Sequence, residues 1–261
     1  MNPIETAFDQ KAAAWESYTQ SPPGRLREDL SRDYLLPHLP PPPARILDAG
    51  CGTGNLGLGL AAQGYEVHLL DFSAQMLAIA QEKAKVRGLQ ERALHFHPQA
   101  IEVWTPPCAF EVILCHTLLE YVPEVPLVIA HLASYLAPGG LLSLVFVNHY
   151  AEPLSLALGK GQLRAALAAA KGEASAMADL FGVPRRLFSP QEILAELEQN
   201  KLNVVAEYGL RLLADYAPHL EWKEDAGVYT ELFALEKALG ANFPYRYLGR
   251  YGQMIAIKQK A

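Results

Sequence analysis

The stretch LDAGCGTG, Leu47–Gly54, sets three glycines at alternate positions directly behind a short apolar run. Glycine surrenders backbone order and packs no side chain, so this spacing makes sense where something approaches the main chain very closely. RILDAG (45–50) reads as a short buried strand, and NLGLGLAAQG (55–64) reads as a helix closed by Gly64. A glycine turn between strand and helix gathers backbone N–H groups and a helix N-terminus at one point. Alone, a G-x-G turn is a weak signal, because many strand-to-helix turns need one glycine for steric reasons only.

Outward from the loop the same alternation continues. YEVHLLD (65–71) is a strand, and SAQMLAIAQEKAKVRG (73–88) is a helix opened by the N-cap Ser73 and closed by Gly88. ALHFHPQ (93–99) and FEVILCHT (110–117) are two more strands. LVIAHLASYLAPGG (127–140) is a helix ending in a Pro-Gly-Gly stop, and LLSLVFVNH (141–149) is a fifth strand. Strands alternating with helices at this spacing predict an α/β fold, a doubly wound and mostly parallel seven-stranded sheet. The last two strands are NVVAEYGLRLL (203–213) and YGQMIAIKQ (251–259), joined by the helix VYTELFALEKALG (228–240) and a turn as a closing antiparallel arm.

Four segments follow from this reading. Residues 1–43 form an N-terminal helical cap, in which SPPG (21–24) breaks one helix from the next and the prolines 40–43 make a stiff spacer. Residues 44–148 form the core around the glycine loop. Residues 149–188, rich in Ala and Leu, read as a helical insert lying as a lid over the carboxyl ends of the strands, and residues 189–261 complete the sheet.

Composition limits the function classes. The chain has 261 residues, is 51% apolar and carries a net charge of −6, so no global basic field draws in nucleic acid or an anionic membrane. Any contact with RNA has to be a local patch. The three cysteines, Cys51, Cys108 and Cys115, form neither a CxxC nor a Cys/His metal pattern, so no metal is expected, and an odd number of free thiols suits a reducing cytosol. The first fifteen residues lack the apolar core of a signal peptide, and no apolar run approaches the ~20 residues that span a bilayer. The expectation is a soluble cytoplasmic protein.

Three features sharpen the loop. Asp48 precedes it at the end of the first strand. Asp71 ends the second strand, where an acid can take both hydroxyls of a ribose. Phe72 and Met76, at the start of the next helix, are available to sandwich a purine. A dinucleotide site would ask for G-x-G-x-x-G, whereas Gly50, Gly52 and Gly54 are spaced G-x-G-x-G behind an acid. In this the chain resembles the class I S-adenosylmethionine-dependent methyltransferases, and LLEYV (118–122) and LAPGG (136–140) match the same family. The resemblance covers roughly Arg45 to Asn148 and implies the Rossmann-like methyltransferase fold, S-adenosyl-L-methionine as cofactor and methyl transfer as activity.

GRLRED (24–29), HTLLEYV (116–122), GLRLLADY (209–216) and YLGRYGQMIAIK (247–258) extend the similarity to the bacterial tRNA 5-carboxymethoxyuridine methyltransferases, which esterify a carboxylate on the wobble uridine. That resemblance implies that Arg27 holds the methionine carboxylate of the donor and that Gly50, Cys51 and Gly52 lie against it. It implies further that Asp71 holds the ribose, that Ala100 and Ile101 meet the adenine, and that His116 faces the donor. The third strand ends in QAIE, so either Glu102 replaces the usual acid for the adenine amine or it lies exposed. His116 is equally readable as a satisfied strand-edge histidine.

A carboxylate acceptor is already a nucleophile and needs no general base, so no catalytic residue is assigned. It does need cations or donors to offset its desolvation. Arg211 and Arg250, beside Tyr216, Tyr247 and Tyr251, are the candidates, with exposed strand-edge charges as the bland alternative. Lys160, Arg164, Lys171, Arg185 and Arg186 offer a modest phosphate-facing patch for tRNA. The competing acceptor is a small-molecule carboxylate or hydroxyl under an apolar lid, and a binding module without catalysis is the third reading.

Overall fold

The computed structural model describes residues 3–89, 93–173, 180–216 and 221–260. Seven strands form one sheet in the order β3-β2-β1-β4-β5-β7-β6. They are β1 (Arg45–Ala49), β2 (Glu66–Leu70), β3 (Leu94–His97), β4 (Phe110–His116), β5 (Leu136–Val147), β6 (Leu202–Leu210) and β7 (Tyr251–Lys258). β1 to β5 are parallel, and β7 runs antiparallel between β5 and β6. The expected seven-stranded, mostly parallel sheet with a closing antiparallel arm is therefore present.

The alternation of side chains along each strand sorts the core into two layers. On one face Leu47, Ile113 and Leu144 meet Val128 and Leu132 of α5 (Val125–Tyr135) and Ile193 and Leu197 of α8 (Pro190–Gln199). On the other, Ile46, Val67 and Leu114 meet Leu58 of α3 (Asn55–Ala61) and Leu77 of α4 (Ala74–Val86). Along that second face, Leu26 and Leu30 of α2 (Pro22–Leu35) and Leu232 of α9 (Ala226–Gly240) cover β5, β6 and β7.

The first helix, α1 (Pro3–Gln20), is tied to α4 by the Lys83–Glu16 ion pair at 2.9 Å and by Asp9. Asp9 Oδ1 accepts from Ser73 Oγ at 2.6 Å and from the Gln75 amide at 3.2 Å, so it seconds Ser73 as cap of α4. Of the expected breaker SPPG, only Ser21 lies between the helices. Pro22 and Pro23 open α2, where proline's missing N–H costs nothing.

Three boundaries differ from the sequence reading. The LAPGG segment does not finish a helix: α5 ends at Tyr135, and Leu136 already pairs with Phe110 of β4. The next pair is Val112 with Leu141, so Ala137–Gly140 bulge out opposite Glu111 alone, helped by the left-handed Gly139 (φ 76°). β6 stops at Leu210 because Arg211 takes φ 57°, and the carboxylate of Glu236 on α9 accepts the following amides of Leu212, Leu213 and Ala214. The insert is helical only in α6 (Ala151–Leu154), a wide turn over Ser155–Gly159 and α7 (Leu163–Ala170); residues 174–179 of the expected helical stretch lie outside the described residues. Among the described residues, no helix is long and apolar enough to cross a membrane.

Candidate functional site

The glycine loop sits at the carboxyl ends of β1, β2 and β4. Gly50, Gly52 and Gly54 all adopt left-handed φ angles of 69°, 53° and 74°. A Cβ on Gly50 would stand 3.0 Å from Leu118 Cδ1, and one on Gly52 would stand 3.0 Å from Trp15 Nε1, so both conformation and space demand glycine there. The sequence reading gathers amides at this turn; the structure spends them internally. Gly50 and Cys51 N–H donate to the Leu70 carbonyl at 2.8 and 3.1 Å, Gly52 N–H donates to Asp71 Oδ2 at 2.8 Å, and Gly54 N–H donates to the Cys51 carbonyl at 2.9 Å. A phosphate finds few donors in such a loop. Its carbonyls instead suit a cationic ammonium group.

The two acids are buried behind it. Asp71 Oδ1 accepts from the Ser73 amide at 2.9 Å, so this carboxylate joins the loop to the start of α4. Burial pushes Asp71 up to about 6, against the pull of its Ser73 and Gly52 hydrogen bonds. Asp48 Oδ2 accepts from the Gly57 amide at 3.2 Å, and burial pushes it up to about 7. A carboxylate has about four lone-pair sites, so Asp71 retains capacity for two further hydroxyl donors.

Two adjoining cavities share Gly50, Asp71, Glu120 and Tyr121 as common wall. The first, of about 290 Å³, is lined by Arg27, Asp48, Cys51, Gly52, Met76, His116 and Tyr251. The second, of about 600 Å³, is lined by Phe72, Ala100, Ile101 and Glu102. Phe72 and Met76 thus face different cavities rather than the two sides of one slot. The ring expected on one face of a purine is Phe72, and the second cavity sets Ile101 in the same wall.

Arg27 is a buried cation with little to neutralise it. Its guanidinium lies 5.1 Å from the Trp15 ring and 5.6 Å from the Tyr251 ring, and its ion pair with Glu28 is long at 3.5 Å. His116 is engaged at both nitrogens, with Ser143 Oγ at 2.8 Å and Ser31 Oγ at 3.4 Å. Burial first, then Arg27, pushes it down to about 3, so it is neutral at physiological pH. His116 lines the first cavity with both nitrogens hydrogen-bonded.

Arg211 and Arg250 stand outside both cavity linings. Arg211 is paired with Asp215 at 2.5 Å and with Tyr18 Oη at 2.9 Å, and Arg250 is paired with Glu152 at 2.5 Å. Tyr216 Oη donates to the Leu248 carbonyl at 2.8 Å, again away from the cavities. Of that predicted group only Tyr251 reaches the first cavity. The late guanidinium that does so is Arg185, whose buried Nε has no hydrogen-bond partner among the described residues.

Several lining residues escaped the sequence reading. Glu120, within LLEYV, is 4% exposed, accepts the Val147 amide at Oε1 at 2.6 Å and has no partner for Oε2 among the described residues; burial pushes it up to about 7. An acid inside an apolar run was the available signal. Phe8 of α1 stacks on Phe181 of the insert at 3.8 Å and meets Phe72 and Tyr121 at 5.1 and 5.0 Å. No local pattern announces that convergence.

Comparison with known proteins decides the family. A methyltransferase-domain model matches residues 47–142. The tRNA 5-carboxymethoxyuridine methyltransferase of Escherichia coli K12 is 30% identical over 243 residues, covering 91% of this chain and 90% of that protein. The chain belongs to the class I S-adenosylmethionine-dependent methyltransferases. This methyltransferase also matches a ubiquinone biosynthesis O-methyltransferase of Xylella fastidiosa, 30% identical over 55% of the chain and 58% of that protein. The solved 1,6-didemethyltoxoflavin-N1-methyltransferase of Burkholderia thailandensis, with bound S-adenosylhomocysteine, shares its fold at a TM-score of 0.60 and 15% identity, over 99% of this chain and 88% of that one. The methyl donor is S-adenosylmethionine, and a cavity pair joining a buried arginine to a buried acid across a left-handed glycine turn fits it.

Proposed function

We propose that this methyltransferase forms a methyl ester on the carboxylate of 5-carboxymethoxyuridine at the tRNA wobble position. The observation that carries this reading is the extent of the E. coli similarity, nine-tenths of both chains, against about half for the ubiquinone enzymes. It takes in the N-terminal helices and the late strands as well as the donor-binding core.

Bound S-adenosylmethionine supplies an electrophilic methyl group on a sulfonium. In this reading Arg27, whose pair with Glu28 is long at 3.5 Å, pairs with the donor's amino-acid carboxylate. The loop carbonyls around Gly50 and Gly52 accept from the ammonium, and Asp71 accepts from the ribose hydroxyls. Backbone groups of Ala100 and Ile101 meet the adenine beside Phe72. A carboxylate acceptor needs positioning in line with the methyl group and shelter from water rather than a base. A neutral His116 with both nitrogens occupied supports a reaction of that kind. Arg185 and Tyr251 face the acceptor side, and the insert within 149–188 acts with α1 as the lid. Arg164, Lys171, Arg185 and Arg186 carry a local phosphate contact, and a tRNA acceptor puts the protein in the cytoplasm.

A small-molecule carboxylate or hydroxyl acceptor is the second reading. It is favoured by the net charge of −6 and by the aromatic walls Phe8, Trp15 and Phe181. Glu120, near neutrality in its ionisation, would serve a hydroxyl as base. The deciding experiment incubates the protein with methyl-labelled donor and total tRNA from a strain lacking its own enzyme. Label at the wobble position that mild alkali removes supports the ester. Alkali-stable label, or none, rejects it.

A further inference from the structure

We propose that Glu66, His68 and His95 bind one divalent transition-metal ion of the zinc type at the β2–β3 edge of the sheet. Glu66 and His68 are two residues apart on β2 and point to the same face, and His95 on β3 is the register partner of His68. Glu66 Oε1 lies 3.6 Å from His68 Nε2 and 3.1 Å from His95 Nε2, and the three ligand atoms all lie within 4.8 Å of one another. Ligand atoms ~2.0–2.2 Å from a tetrahedral ion stand ~3.3 Å apart, so small side-chain shifts close the set.

The second observation is an orphan. His68 is 4% exposed, and among the described residues its buried Nε2 has no hydrogen-bond partner while facing the Glu66 carboxylate. Its other nitrogen, Nδ1, meets His97 Nε2 at 3.0 Å. When Nδ1 donates to His97, Nε2 presents a lone pair to a carboxylate, acceptor against acceptor, and a cation between them resolves the conflict. Such an outer hydrogen bond is what fixes the tautomer and orientation of a metal-bound imidazole.

The surroundings are consistent with an entry path and an unspent acid. The side chains of His95 and Glu66 are 39% and 43% exposed. Arg45, the register partner of Glu66 on β1, is committed to Glu111 at 2.7 Å. Two imidazoles and one carboxylate, with an open position toward solvent, favour zinc over calcium or magnesium. Cysteine spacing could not reveal the site, because its ligands come from two strands with no cysteine. The ion clamps the edge strand β3 to β2; His97, at the end of β3, accepts from the Asp71 amide at 3.2 Å, which links the clamp to the donor site.

The test uses the full chain, stripped with a chelator and then titrated with zinc chloride by calorimetry and thermal melting, in wild type, His95→Gln and Glu66→Gln. The proposal expects one equivalent bound by wild type, a raised melting temperature, and at least tenfold weaker binding in each variant. Cobalt(II) chloride should give wild type the visible absorption of a low-coordinate site, which His95→Gln lacks. Absence of zinc uptake by wild type, or equal affinity in wild type and both half-exposed variants, overturns it.

Discussion

Asp71 Oδ2 accepts the Gly52 amide at 2.8 Å, so the acid ending β2 and the glycine turn after β1 form one unit. In the proposed reading, donor binding and loop geometry therefore depend on the same carboxylate. Asp71→Asn keeps the shape but places an NH₂ where an acceptor stood. The expected loss is about 1.5–3 kcal/mol of donor affinity, roughly 10- to 150-fold in Kd. Calorimetry with S-adenosylhomocysteine measures it, and an unchanged Kd would remove Asp71 from the site.

The same group gives a pH dependence. Desolvation raises Asp71 to about 6, so the carboxyl gains its proton as pH falls through that value and ceases to accept at both oxygens. Donor affinity should be highest above pH 7 and weaken below pH 6, by up to about tenfold per unit. Asp71→Asn should flatten that limb, which a Kd series from pH 5 to 8 would reveal.

Arg27→Lys retains the charge and gives up the planar fork. We expect the donor KM to rise at least about tenfold with a smaller change in kcat, since the proposed interaction lies on the non-reacting end of the donor. Steady-state kinetics at saturating acceptor separate the two constants.

Asp48 is a stability prediction. Its folded value is raised to about 7 from an unfolded value near 3.8, so the native state holds the extra proton between those limits. Stability from this group is fully present below the unfolded value and is lost as pH rises through 7. Asp48→Asn avoids burying that charge while leaving an oxygen for Gly57. It should therefore raise the melting temperature at pH 8, with the gain shrinking as pH is lowered toward 4.

Much of this site was legible in the residues themselves. Gly50, Gly52 and Gly54 needed left-handed backbone, and Asp71 fell at a strand end by simple periodicity, because both are local properties. The fate of Arg250 was not legible: Glu152, which neutralises it, lies 98 residues away and is itself 2% exposed. Arg211 hid its partner nearer, at Asp215, because a left-handed residue at the end of β6 turned the chain back on itself. Leu136–Gly140 read as a helix stop because proline and glycine mark any exit from a helix, including one that bulges into a strand. Phe72 and Met76 share a helix start, yet the loop between the cavities divides them.

The Phe8–Phe181 stack carries a consequence for turnover. The two rings come from distant points in the sequence, one on α1 and one in the insert, and press together at 3.8 Å beside the first cavity. In the proposed reading, spent cofactor leaves once the two rings part. If the acceptor is the proposed carboxylate, with no proton to abstract, that parting rather than the chemistry should set turnover, and trimming either ring should quicken release while making the guest easier to lose.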